Sequence, residues 1–267
     1  MPAVQLAKLK AQIDRLVLQF TLPQEFQHSL KDLFESYADR VYHAGNAIQA
    51  TPLIPAYHVS ALVMHQLDQQ LIRRCKENQD AALALADILW LDEYLEPRMV
   101  AIFLIGQVSP QPPELIIDRL RLWNQNAESI HLQQTLFYQG SICLRREQPG
   151  EYLKFLNDWL SSSRPGSQKT GLHALIVLIH DREFQDLPSL FSIITPLCQA
   201  SPTGLHADLV EVIKVLARRS QVETAYFLRQ ILTLSSNPNT ARLVRRVLPE
   251  FSPELQTSLR KVLQASS

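Results

Sequence analysis

Apolar side chains recur three and four residues apart along almost the whole chain, and no stretch alternates with a period of two. That spacing puts them on one face of an α-helix and argues against half-buried strands. Leu6, Leu9, Ile13, Leu16 and Phe20 trace a first stripe, and Leu30, Leu33, Phe34 and Tyr37 a second, entered through Thr21-Leu22-Pro23. Further on, Pro110, Pro112-Pro113, Pro149, Pro165, Pro188, Pro202, Pro238, Pro249 and Pro253 stand where one periodic run stops and another begins. Proline fits the first turn of a helix, whose N–H groups lack an intrahelical acceptor anyway, and disrupts later turns. These prolines predict helix starts.

The predicted segments pair. Glu114–Trp123 resembles Glu151–Leu160, 37 residues later; Ser189–Cys198 follows at 38 and Thr224–Thr233 at 35. Between them run second helices, Ile130–Arg145, Gln168–His180, Leu205–Arg219 and Thr240–Val247. A helix–turn–helix unit repeating every 35 to 38 residues is the spacing of helical solenoids, where stacking buries faces that no single pair can cover. The expected fold is an all-α superhelix of the HEAT/ARM-like kind, about six or seven antiparallel helix pairs long. Residues 1–267 read as a single helical-repeat domain, with 1–54 as an N-terminal helical cap and 55–267 as HEAT-like repeats. An irregular helical domain is the rival reading.

Composition narrows the chemistry. The 46% apolar fraction supplies a core, and the 7 glycines, none within three residues of another, argue against a phosphate-cradling loop. HExxH, GxSxG, GxxxxGK[ST] and GxGxxG do not occur. Cys75, Cys143 and Cys198 are odd in number and far apart, which indicates neither a disulfide framework nor a zinc site. His58/His65 and His173/His180 are seven apart, about 10 Å along a helix, too far to share an ion. No metal and no cofactor is expected. Asp92, Glu93 and Glu96 precede a predicted helix Pro97–Val108 and read as acids that favour its N-terminal dipole. Trp90, Trp123 and Trp159 each close an amphipathic run and read as core anchors. The longest apolar stretches, Met99–Ile105 and Ala174–Ile179, are short of the ~18 residues that span a bilayer, and the N-terminus lacks a signal peptide's apolar centre. A soluble, cytoplasmic protein is expected.

Charge balances globally, 26 basic against 26 acidic side chains, so no net field draws the chain to nucleic acid. Locally it does not balance. Residues 201–267 hold 9 basic and 5 acidic side chains, whereas Glu77 to Asp118 holds eight acids and the single base Arg98. Lys214 and Arg218 stand one turn apart on one predicted second helix, with Arg219 beside them; Arg242, Arg245 and Arg246 occupy i, i+3 and i+4 on the next. Two neighbouring helices presenting cations on one face would form a phosphate track. A solvated face with ordinary pairs such as Glu211–Lys214 is the plainer alternative.

Ala82–Val108 resembles the segment that marks the HEAT-like-repeat DNA alkylation repair family, the AlkD-type alkylpurine DNA glycosylases. The likeness rests on Leu89-Trp90, Glu96-Pro97-Arg98 and Ala101-Ile102-Phe103-Leu104, and extends more loosely over residues 40–235. The resemblance implies a catalytic set of a Trp and an Asp four apart on an inner helix, a second Trp two repeats later and an Arg on the helix between. At those places this chain has Ile130, Gln134, Glu211 and Thr170, the last beside Lys169. A neutral Gln cannot stabilise an oxocarbenium ion as a carboxylate does, and Ile offers no ring quadrupole. A register slip would let Glu128 or Asp118 supply a carboxylate without restoring the set.

Three functions follow. The first is a DNA-binding protein of this family without base excision, its cations being Lys169, Lys214, Arg218, Arg219, Arg242, Arg245 and Arg246. The second is a scaffold that takes a protein partner in its concave groove, favoured by neutral net charge. The third is an alkylpurine DNA glycosylase with a rearranged site.

Overall fold

The computed structural model describes residues 5–39, 54–127, 129–235 and 237–265, and every regular element among them is helical. The chain divides into two compact units, Met1–Gln148 and Pro149–Ser267. Glu128 and much of the expected cap, 40–53, lie outside the described residues.

The first unit holds α1 (Leu6–Val17), α2 (Pro23–Tyr37), α3 (Ala61–Glu77), α4 (Gln79–Trp90), α5 (Leu95–Gly106), α6 (Glu114–Gln125), α7 (Ile130–Tyr138) and α8 (Ile142–Glu147). α1 packs on α3, α3 on α5 and α5 on α7 and α8, while α2 packs on α4. α6 joins the second row through Trp123, which lies flat on Trp90 of α4 with ring centroids 4.6 Å apart and planes 3° from parallel. Arg119 of α6 completes that join as a fork on Asp87 of α4, at 2.8 and 2.7 Å. Phe26, Phe34, Leu67, Leu85 and Phe137 are fully or almost fully enclosed between the rows.

The second unit holds α9 (Pro149–Leu160), α10 (Pro165–His180), α11 (Leu187–Ala200), α12 (His206–Arg219), α13 (Gln221–Leu234), α14 (Pro238–Val247) and α15 (Pro253–Ala265), with single 3-10 turns at Thr203–Leu205 and Leu248–Glu250. Here α9, α11, α13 and α15 form one row, and α10, α12 and α14 the other. The two-row arrangement is what a repeated helix pair produces, because each helix buries one stripe against its partner and another against its counterpart in the next pair. Pro149, Pro165, Pro238 and Pro253 open α9, α10, α14 and α15, and Pro188 is the second residue of α11, as the sequence predicts. Gly171 of α10 lets that helix close on α9: an added Cβ there would lie 3.0 Å from Leu160 Cδ2 and 3.2 Å from Trp159 Cβ.

One predicted helix, Ile130–Arg145, is two. The break at Gln139–Ser141 has a steric origin. A Cβ on Gly106 would stand 2.1 Å from the Gln139 carbonyl oxygen, and one on Gly140 would meet the Ile105 side chain at 3.1 Å, so two glycines let α5 approach this corner. The carbonyls released by the break find a donor in Arg145. Its buried guanidinium donates to Phe137 O at 2.8 Å, Tyr138 O at 3.1 Å and Ser141 Oγ at 2.6 Å. Buried carbonyls must be paired, and here a charged side chain pairs them.

Trp90 and Trp123 are buried core anchors, whereas Trp159 is half-buried and tilted against Phe155 at 4.3 Å.

Candidate nucleic-acid interface

The rotation of α14 about its own axis is fixed at its first turn. Asn237 caps it by accepting from Asn239 N at 2.9 Å, and the same side chain donates to Ala200 O at 2.7 Å. Thr240 Oγ1 donates to the carbonyls of Cys198 and Gln199, 3.1 Å away in each case. The open C-terminal carbonyls of α11 are thereby satisfied by the start of α14. With Thr240, Leu243, Val244 and Val247 turned inward, Arg242, Arg245 and Arg246 are left on the exposed face.

α12 is held from the other side. Leu209, Val212, Ile213 and Leu216 are buried, and Asp208 Oδ1 meets His173 Nε2 of α10 at 3.0 Å. Arg219 Nη1 donates to Ile179 O at 2.5 Å and Asp181 O at 2.8 Å, and Nη2 reaches Phe184 O. Burial lowers the pKa of this guanidinium from its ordinary value. Arg219, expected among the phosphate-facing cations, instead closes the C-terminal end of α10, because three backbone carbonyls there lie within reach of one planar fork.

The remaining expected cations divide between the helices. Lys169 is exposed on α10; Lys214 is half-buried and Arg218 exposed on α12. Arg218 Nε approaches Glu250 Oε2 at 3.3 Å, so the end of α12 meets the turn that follows α14. At the opposite end, His206 at the start of α12 feels the charges of Arg242 and Arg246. α12 and α14 pack against each other.

The four substituted positions are on helices too. Ile130, 69% exposed, and Gln134, also exposed, lie one turn apart on α7, which Ser129 caps by accepting from Leu132 N at 3.1 Å. Thr170 is half-buried on α10 and Glu211 exposed on α12. Asp118 is exposed on α6, with Arg121 at 3.8 Å. No group of three metal-ligating side chains occurs among the described residues, and no helix among them is long and apolar enough to cross a membrane.

The acids of the Ala82–Val108 segment have structural partners. Glu96 is buried and accepts from the backbone N–H groups of Tyr57 at 2.9 Å and His58 at 2.6 Å, where His58 has φ 56°. Asp92 accepts from Gln27 Nε2 at 2.8 Å and from Tyr94 N at 3.0 Å. Arg98 Nε donates to Asp92 O at 2.6 Å, and its guanidinium carbon lies 5.8 Å from the Trp90 ring centroid. The Leu-Trp and Glu-Pro-Arg elements that carry the family likeness therefore build the α2–α4–α5 corner. Glu96 clamps the incoming chain before α3, a long-range role that the dipole reading did not contain.

Neither the curated proteins nor the solved structures contain a match to this chain. The family model described as DNA alkylation repair enzyme matches residues 54–249, from the segment clamped by Glu96 to the turn after α14. With that match over most of its length and an all-helical paired architecture, the chain belongs to the DNA alkylation repair enzyme family.

Proposed function

We propose that the protein binds DNA through phosphate contacts made by α12 and α14 and does not excise bases. The observation that supports this most is the outward set Arg242, Arg245 and Arg246 on α14, a helix that carries no acidic side chain. Lys214, Arg218 and the exposed Lys169 extend the set along the same row of helices. Arginine forks suit phosphate oxygens, and such contacts fix position on a duplex without reading its sequence. The loss of excision is argued from the substituted positions: where the family resemblance puts Trp, Asp, Arg and Trp, Ile130 brings no ring, Gln134 no charged carboxylate, Thr170 no cation and Glu211 no ring.

Duplex affinity measured against salt tests the reading. Binding that weakens steeply with salt, together with no release of 7-methylguanine from methylated DNA, is the expected result. Arg242→Glu with Arg245→Glu abolishes that binding while leaving helical content unchanged. Undiminished affinity in the double variant removes the proposed track; release of the free base restores the glycosylase reading.

One observation favours the scaffold reading as a second possibility. Between α11 and α13 lies a groove of about 540 Å³, lined among others by Phe191, Phe227, Tyr226 and Val222. Phe191 and Phe227 stack at 4.7 Å, and Tyr226 and Val222 are 56% and 68% exposed. This apolar surface belongs to the row opposite the cations.

A further inference from the structure

We infer that the groove between α11 and α13 docks an amphipathic helix of a partner protein, which lays its apolar stripe along α13 and sets a lysine or arginine against Glu223. The inference names the partner in the scaffold reading and rests on it; it does not depend on DNA binding.

α11 and α13 are neighbours in the row opposite α12 and α14. Their outward faces carry two stripes with one-turn spacing. On α13, Val222, Tyr226, Gln230 and Leu234 are exposed at i, i+4, i+8 and i+12, Leu234 by 75%. On α11, Pro188, Ser192, Pro196 and Ala200 are exposed at the same spacing. Large side chains thus stand on one side and small ones on the other. A third helix can approach α11 closely while its apolar side chains pack beside those of α13. The stripe from Val222 to Leu234 is about 18 Å long at 1.5 Å per residue, the length of a helix of three to four turns.

The groove is shaped before anything fills it. Phe191 and Phe227, both in its lining, stack at 4.7 Å with planes 26° from parallel. The Tyr226 hydroxyl accepts from Gln230 Nε2 at 3.0 Å, and the Arg229 guanidinium carbon lies 5.8 Å from the Tyr226 ring centroid. A ring fixed in this way loses little freedom when it is covered. An exposed apolar strip beside a groove is what helix-in-groove recognition buries, through anchors spaced three and four residues apart.

Charge selects the occupant. α11 carries no charged side chain. Arg229 leans over Tyr226 toward α15, where its Nη1 meets Ser258 Oγ at 3.3 Å. Arg219, one turn before Glu223, spends its guanidinium on the carbonyls at the end of α10. Glu223 is exposed and is the acid of the groove's lining. A phosphodiester laid here meets a negative charge, whereas a lysine or arginine at the edge of an apolar helix is paired by it. The occupant is therefore a helix with a basic edge and not nucleic acid.

The test uses the full chain and a fluorescent synthetic helix of about 14 residues, with leucine at i, i+4, i+7 and i+11 and one arginine flanking the leucines. A control peptide has glutamate in place of that arginine. The arginine peptide should bind saturably and about tenfold more tightly than the control. Tyr226→Ala should weaken its binding by about tenfold or more. Glu223→Arg should reverse the preference and favour the glutamate peptide, a gain that an unfolded protein cannot give. Equal binding of the two peptides, both lost in Tyr226→Ala, overturns the inference and leaves the scaffold reading standing. Binding of neither peptide overturns both. A dimer of the wild-type chain in sedimentation that Tyr226→Ala abolishes gives the face to a second copy and also overturns the inference. Duplex DNA affinity should be the same in Tyr226→Ala as in the parent; its loss would put DNA on this face and overturn the inference.

Discussion

The α4–α5 corner of the first unit and the α12–α14 face of the second are both rich in charge, and they use it in opposite ways. At the corner and its neighbours, Glu96 binds two backbone N–H groups, Arg98 a carbonyl, and Arg145 two carbonyls and a hydroxyl. Each of these groups pairs backbone polar groups that lie outside a helix or at its end. On α14 the three arginines stand on the exposed side of a helix capped by neutral Asn237. Charge in the first case is architecture, and in the second it faces outward. A count of lysines and arginines along the sequence treats the two alike.

Removing charge should therefore cost stability in one region and not in the other. The largest effect is expected for Arg145→Met, about 3 kcal/mol in urea unfolding, because the buried carbonyl of Phe137 and the partly buried one of Tyr138 lose a charged donor. A change near zero would mean that the corner is held by packing alone.

Asp68 of α3 comes next. Burial pushes its carboxyl up to about 7, and its Oδ1 is enclosed without a hydrogen-bond partner. A carboxyl that is harder to ionise folded than unfolded contributes stability at low pH and loses it as pH rises from about 4 through 7. Asp68→Asn should flatten that slope and stabilise the protein at pH 8 by about 2 kcal/mol. An unchanged pH profile of the melting temperature would place the carboxylate in contact with water.

Arg219→Gln should cost about 1.5 kcal/mol, since the carbonyls at the end of α10 sit near solvent and can recruit water. That value sharpens the comparison by marking Arg219 as the architectural arginine of the α12–α14 region. The smallest effect belongs to Arg242→Glu with Arg245→Glu, within about 0.5 kcal/mol of the parent in the same measurement. A loss comparable to that of Arg145→Met would erase the distinction between the two regions.

Helix positions were legible because they depend on local rules. Proline at a first turn and apolar spacing located α9 to α14 within a few residues. The break between α7 and α8 was not legible, since Gly140 matters only through Gly106 and the Gln139 carbonyl, some thirty residues apart in the chain. The candidate site divides in the same way. Arg242, Arg245 and Arg246 could be placed on one outward arc from α14 alone. Arg219 could not be excluded, because its acceptors Ile179, Asp181 and Phe184 belong to the end of another pair.

By itself the sequence determined that this chain is a set of paired helices, where most of them begin, and which family it resembles, since periodicity, proline and a short motif are written in contiguous residues. The tertiary structure decided which charges are consumed by the backbone and which face outward. A side chain's partners are fixed by the packing of helices from successive pairs, and only the folded chain brings those helices within hydrogen-bonding reach.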